Sequence, residues 1–168
     1  MKINENLILD SRARRTSTYS VRDFDLSDDL VIGETYTLSF EGEVVPDDKL
    51  GLWMGGGWIQ IKANIKPNKE GNRFYTTFEV PDWNSNKFTD EHRENLVSNQ
   101  LVVYIWPRTE GYFIAMEKTK LEKGTEMTPY IPNIDDVKNK TLYPNEVGGG
   151  VFGRRYNQYN LSKEVVVC

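Results

Sequence analysis

Cysteine and histidine are almost missing from this chain, with Cys168 and His92 as the sole examples of each. A single cysteine excludes an intrachain disulfide framework. One histidine beside it excludes zinc-finger spacings, Cys/His dyads and His-rich metal sites. Cys168 has no cysteine on this chain to pair with, and His92 has no catalytic companion in its sequence neighbourhood. Long apolar runs are missing too. No stretch approaches the roughly 18 apolar residues of a membrane span, and Met1-Lys2-Ile3-Asn4-Glu5-Asn6 lacks the apolar core of a secretory signal. The expectation is a soluble chain made in the cytoplasm, without membrane insertion. Basic excess is absent as well: 21 basic against 25 acidic side chains leave a net charge of −4. Nucleic acid is therefore not an expected partner, because phosphate binding draws on a basic field.

What the 168 residues do contain is aromatic: four Trp, nine Tyr and seven Phe, 12% of the chain. This is the composition of a β-protein. Period-two alternation places Tyr36, Leu38 and Phe40 on one face and Thr35, Thr37, Ser39 and Glu41 on a wet one. Over residues 58–65 it sets Ile59, Ile61, Ala63 and Ile65 inward against Trp58, Gln60, Lys62 and Asn64. Further strands are predicted at 73–80, at 100–106 (an apolar run read as buried on both sides), at 112–121, at 50–54, around Leu7 to Leu9 and near 18–21, about eight in all. Turn signals separate them: Pro46-Asp47-Asp48, Gly55-Gly56-Gly57, residues 67–72, Pro81-Asp82 and residues 107–111. Short strands at this spacing predict an all-β fold, an antiparallel β-sandwich of jelly-roll type. Residues 89–96 read either as one helical turn capped by Thr89 or as a polar loop.

The strand pattern stops after Gly124. Residues 1–132 are assigned to the sandwich and 133–168 to an extended C-terminal arm. Tyr143, Phe152, Tyr156, Tyr159 and Val166 make that arm too apolar for a solvated spacer, so it is expected to dock, with 164–167 as a strand able to extend a sheet edge.

Candidate sites are few. Exposed aromatic rings stack on the C–H face of a pyranose, which makes Trp53, Trp58, Trp83 and Tyr104 the candidate glycan platforms. The competing reading places Trp53, Trp58 and Trp106 in the core or an interface. Gly55-Gly56-Gly57 fits no phosphate-binding motif. Asp23, Asp25, Asp28, Asp29, Asp47 and Asp48 lack the spacing of glycosidase acids or calcium ligands, and solvated loop acids are the simpler account. Arg12-Ala13-Arg14-Arg15 is read as a solvated run or an intersubunit ion-pairing segment, with an anionic polymer such as teichoic acid as the sharper option. No catalytic residue, cofactor or metal is expected.

Residues 120–136, Lys120-Leu121-Glu122-Lys123-Gly124 followed by Thr128-Pro129-Tyr130-Ile131-Pro132 and Asp135-Asp136, resemble the closing signature of a carbohydrate-binding-module-like jelly roll. That domain is common in bacteriophage tail, baseplate and fibre proteins. Tyr130 stands where Trp is usual and Ile134 where Pro is usual. Asn6 to Ser11 resembles the same family's opening strand, and Gly33 to Phe40 its G-x-TYTLSF strand. The local reading of the signature is structural: Lys and Glu on the solvent face of an outer strand, a turn at Gly124, and an extended path that lays Tyr130 across the sandwich. The resemblance implies a structural component of a phage virion without enzymatic activity. Its partners would be other virion proteins, further copies of itself and, at an exposed aromatic face, host cell-wall glycan. A capsid-decorating or head-fibre protein and a carbohydrate-binding adhesion module are the alternatives, and a hydrolase is the weakest contender.

Overall fold

The computed structural model describes residues 3–21, 23–105 and 109–138. In chain order the strands are β1 (Arg15–Ser17), β2 (Phe24–Asp25), β3 (Thr35–Val45), β4 (Leu50–Gly55), β5 (Gln60–Ile65), β6 (Asn68–Glu70), β7 (Arg73–Glu79), β8 (Val97–Ile105) and β9 (Phe113–Lys123). Two short helices, α1 (Asp90–Glu94) and α2 (Ile134–Lys138), complete the set among the described residues. A five-stranded sheet runs β1-β9-β3-β7-β6, and a four-stranded sheet runs β2-β8-β4-β5. All pairings are antiparallel.

Nesting defines the topology. The first strand pairs with the last (β1 with β9), then β2 with β8, β3 with β7 and β4 with β5. A long antiparallel ribbon rolled on itself makes these pairs, which is the jelly roll; β6 is an added edge hairpin on β7. The all-β antiparallel sandwich is thus the fold.

The alternation read from β3 explains where the core sits. Tyr36, Leu38 and Phe40 point between the sheets and are sealed from solvent. Opposite them on β7 stand Phe78, Thr76 and Phe74 in direct register, with stacked rings at 6.0 Å for Tyr36 and Phe78 and 5.5 Å for Phe40 and Phe74. The other sheet contributes Leu50, Leu52 and Met54 from β4 and Leu101, Val103 and Ile105 from β8. Each such side chain stabilises the fold by about 1.5–3 kcal/mol on burial.

The structure corrects several expectations. Residues 7–9 form only an isolated bridge, Ile8 to Leu26, and 18–21 only the bridge Ser20 to Tyr104, while the true edge strand lies earlier at β1. The predicted turn at 67–72 instead holds β6 and the two-residue turn Gly71-Asn72, with Gly71 at φ +59°, that leads into β7. The wet face of β3 is dry at Thr37 and Ser39. Lys120 and Glu122, expected at the surface of an outer strand, lie buried on β9 between β1 and β3. The helical reading of 89–96 holds: the Thr89 hydroxyl accepts from the His92 N–H while His92 Nδ1 accepts from the Thr89 N–H, a reciprocal cap.

The folded body continues beyond Pro132. Asn133 is buried and donates to the Asn6 carbonyl at 2.6 Å, and Asp136 and Val137 on α2 are buried as well. Tyr143, Phe152, Tyr156, Tyr159, Val166 and Trp106 lie outside the described residues.

Candidate functional site

Strand alternation sends Gly51 and Trp53 of β4 to the outer face of the four-stranded sheet, since Leu50, Leu52 and Met54 point inward. On β8 the same rule turns Val102 and Tyr104 outward, and on β5 Gln60 stands directly opposite Trp53. The segment after β1 is drawn alongside β8: the Ile105 N–H donates to the Tyr19 carbonyl at 2.7 Å and the Val21 N–H to the Val103 carbonyl at 3.2 Å. Its bend is set locally by the Ser17 hydroxyl, which accepts from the N–H groups of Tyr19 and Ser20, both at 3.0 Å.

The result is a row across the sheet: Tyr19, Tyr104, Trp53, Gln60. Ring centroids are 5.1 Å apart for Tyr19 and Tyr104, with planes 57° apart, and 4.9 Å for Trp53 and Tyr104, with planes 77° apart. Trp53 folds back over Gly51, where a Cβ would lie 2.2 Å from the indole. The row walls a groove of about 340 Å³ lined also by Gly57. A second hollow of about 240 Å³ shares Tyr19, Gly57 and Tyr104 and adds Ser20, Asp23, Gly56 and Val102. The glycine run is needed here: Gly56 (φ +84°) and Gly57 (φ +75°) close the β4–β5 hairpin, and a Cβ on Gly57 would sit 3.0 Å from the Tyr104 hydroxyl.

Of the four aromatic platforms expected, Trp53 and Tyr104 come together. Trp58 projects from the hairpin, 44% exposed, with His92 edge-on at 5.9 Å, and does not line the groove. Trp83 packs partly buried against the core, and its carbonyl accepts from Arg93. Tyr19 was not singled out by sequence reasoning, because its contact with Tyr104 depends on a bend between strands; its only local signal was the aromatic in the apolar-polar stretch 18–21.

A polar constellation lies on the other outer face. Residues 125–133 cross the five-stranded sheet and roof its side chains. Lys120 Nζ donates to Thr128 Oγ1 at 2.6 Å and to the Pro129 carbonyl at 2.9 Å, and stands 3.4 Å from Glu122. Glu122 accepts from the Thr128 N–H at 2.9 Å and from its hydroxyl. The Tyr130 ring lies 5.6 Å from the Arg73 guanidinium, and its hydroxyl meets Ser11 at 3.1 Å. Tyr130 thus spans the sandwich as expected. Burial depresses the Lys120 pKa to about 8 despite the opposing pull of Glu122, and it lowers that of Arg73 against the pull of Glu41. These groups are sealed beneath the crossing segment, and every Lys120 and Glu122 contact described above is internal to the fold.

The basic run makes its contacts at the surface: the exposed Arg14 pairs with Glu117 at 2.6 Å, and Arg15 donates to the Asp23 carbonyl and covers the Phe24 ring. Asp25 and Asp29 accept from Gln100 and Ser98. Among the described residues no cluster of three or more His, Cys, Asp or Glu side chains is arranged to hold a metal ion. No helix among them is long and apolar enough to cross a membrane.

The fold and the groove define the chain as an antiparallel jelly-roll β-sandwich with an aromatic groove on one sheet. No protein-family model matches it, and no curated protein matches it either. Among solved structures it is similar to the tripod (BppUct-A-L) from the baseplate of bacteriophage Tuc2009, at 17% identity and a TM-score of 0.46. That match covers 80% of this chain and 60% of the other, so the chain spans three fifths of the structure it resembles.

Proposed function

We propose that this chain is a structural component of a bacteriophage virion, part of its tail, baseplate or fibre apparatus, acting through assembly with other virion proteins and further copies of itself. The observation that carries the reading is the likeness of residues 120–136 to the closing signature of phage jelly-roll modules. The packing of Lys120, Glu122, Thr128 and Tyr130 supports it, because those signature residues form one interlocked unit rather than a chance string. No reaction, cofactor, nucleic acid or membrane is part of this proposal. Immunogold labelling of purified particles with antibody to the full chain tests it. Label at the tail or baseplate is expected, label on the capsid would move the assignment to a decorating or head-fibre role, and particles without label would overturn it.

A second reading, adhesion to host cell-wall glycan, is favoured by the aromatic groove. Rings with adjacent amide and hydroxyl groups are what a sugar requires: apolar C–H faces against aromatic surface, and hydroxyls against polar donors and acceptors. Retention of the full chain on host cell walls, lost in a Tyr104→Ala variant that still melts cooperatively, is the expected outcome. Equal retention by both forms would remove the groove from that role.

A further inference from the structure

We infer that the apolar corner formed by Val31, Trp58 and Val97 seats the chain's own C-terminal segment, Val151 to Tyr159. The inference is independent of the virion and adhesion readings, since it uses neither the closing signature nor the aromatic groove.

Three of the four large hydrophobic side chains exposed among the described residues are gathered here: Val31, Trp58 and Val97. The Leu30 N–H donates to the Ser98 carbonyl at 2.8 Å, which sets Val31 beside Val97. Val97 pairs in register with Gly55, and Trp58 follows round the hairpin, its indole 3.7 Å from where a Cβ on Gly56 would stand. Phe88 and Leu96, packed partly buried against the core, continue the apolar surface, and His92 meets Trp58 and Phe88 edge-on at 5.9 and 6.0 Å. A clustered apolar patch within a polar rim marks a surface that meets a partner.

The rim names the partner's charge. Segments 28–34 and 82–97, which frame the corner, carry seven Asp and Glu side chains against Lys87 and Arg93. Arg93 is engaged within its own loop, donating to Asp90 and to the carbonyls of Trp83 and Phe88. An apolar centre with an acidic rim calls for aromatic residues beside cations. Val151-Phe152-Gly153-Arg154-Arg155-Tyr156-Asn157-Gln158-Tyr159 supplies both and carries no acid. The other apolar stretches of the arm each bring one, Glu146 beside Val147 and Glu164 beside Val165.

Reach is sufficient. Asn133, just before α2, donates to Ser27 Oγ at 3.1 Å, and Asp29, two residues on, accepts from the hydroxyl of Ser98, the neighbour of Val97, at 2.6 Å. Laid end to end, the steps from Lys138 through these contacts to Val97 sum to about 38 Å at most, whereas residues 138 to 151 can extend over about 43–47 Å. A tethered segment also meets the corner at an effective concentration of about millimolar, far above that of a second copy in dilute solution.

The test is trypsin cleavage after Arg154 and Arg155 in the full chain, followed by mass spectrometry and compared with a synthetic peptide of residues 148–160. Cleavage tracks the undocked fraction. It is expected to be at least about tenfold slower in the chain than in the peptide, at a rate independent of chain concentration. Trp58 is exposed on its hairpin, so Trp58→Ala should still melt cooperatively and cleave about tenfold faster than the parent. Glu91→Lys with Glu94→Lys, two exposed positions on α1, should also speed cleavage, and should do so less at high salt. Cleavage of the parent at the peptide's rate would overturn the docking. Protection that both variants leave intact would overturn the corner as its seat. Protection that grows with chain concentration would give the corner to a second copy and overturn the intramolecular seat. None of these outcomes touches the virion or adhesion readings.

Discussion

Lys120 and Glu122 stand 3.4 Å apart on one face of β9, both side chains wholly removed from solvent, with Thr128 bridging them. Removing two charges from water costs several kcal/mol per ion, which mutual attraction repays only when the remaining hydrogen-bonding capacity is satisfied. Thr128 and the Pro129 carbonyl supply that capacity, so the pair fastens the crossing segment to the sheet. Glu122→Gln alone leaves the ammonium unpaired and is expected to destabilise the domain by about 3–5 kcal/mol in urea unfolding. The double change Lys120→Met with Glu122→Leu removes both charges and is expected to cost much less. Equal losses in the two variants would show that the pair is not coupled.

The depressed Lys120 pKa has a definite sign in the pH dependence of stability. The folded state holds this proton less tightly than the unfolded chain, whose lysine titrates near 10.5, so unfolding takes up a proton between about 8 and 10.5. Raising the pH through that window therefore favours the folded state at this site. The difference in melting temperature between the parent and Lys120→Met should shift in the parent's favour from pH 8 to pH 10. A difference that stays flat would place the amine in contact with water.

Asp136 behaves in the opposite range. Burial raises its pKa above the ordinary 3.8, with the backbone N–H groups of Asp10 and Ser11 pulling the other way, and Oδ2 has no hydrogen-bond partner among the described residues. The folded state therefore binds this proton more tightly, and its burial cost, present at neutral pH, is relieved as the pH falls through the raised value. Asp136→Asn should lose that relief, so its stability relative to the parent declines on acidification from pH 7 to pH 4. Parallel unfolding curves at both pH values would refute this.

Gly42 sits mid-strand in β3 with φ at +142°, and a Cβ there would lie 2.0 Å from the Ala115 carbonyl oxygen on β9. Backbone cannot yield as a flexible side chain does. Gly42→Ala should cost at least about 2 kcal/mol, combining overpacking with backbone strain. Gly33→Ala, where a Cβ meets nothing within 4 Å, provides the control for positive φ alone. A Gly42→Ala loss no larger than the control would mean that the strands separate easily.

Alternation of side chains along the backbone was enough to identify Tyr36, Leu38 and Phe40 as core, to turn Gln60 outward and to expect an antiparallel jelly roll, because a half-buried strand writes its two faces into every second residue. The Thr89 cap was legible for the same reason, being contained within four residues. Tertiary structure decided the rest. On β9, Ile114 and Met116 face the core at even positions but Leu121 at an odd one, because Lys118 (φ +44°) inserts an extra residue and shifts the pairing between Ser39 and Glu41. That shift turns Lys120 and Glu122 toward the outer face, and only the return of residues 125–133 over that face makes it dry. The groove is decided at the same level. Tyr19, Trp53 and Tyr104 lie far apart in the chain and meet through antiparallel register, a relation between strands that no single strand's periodicity contains.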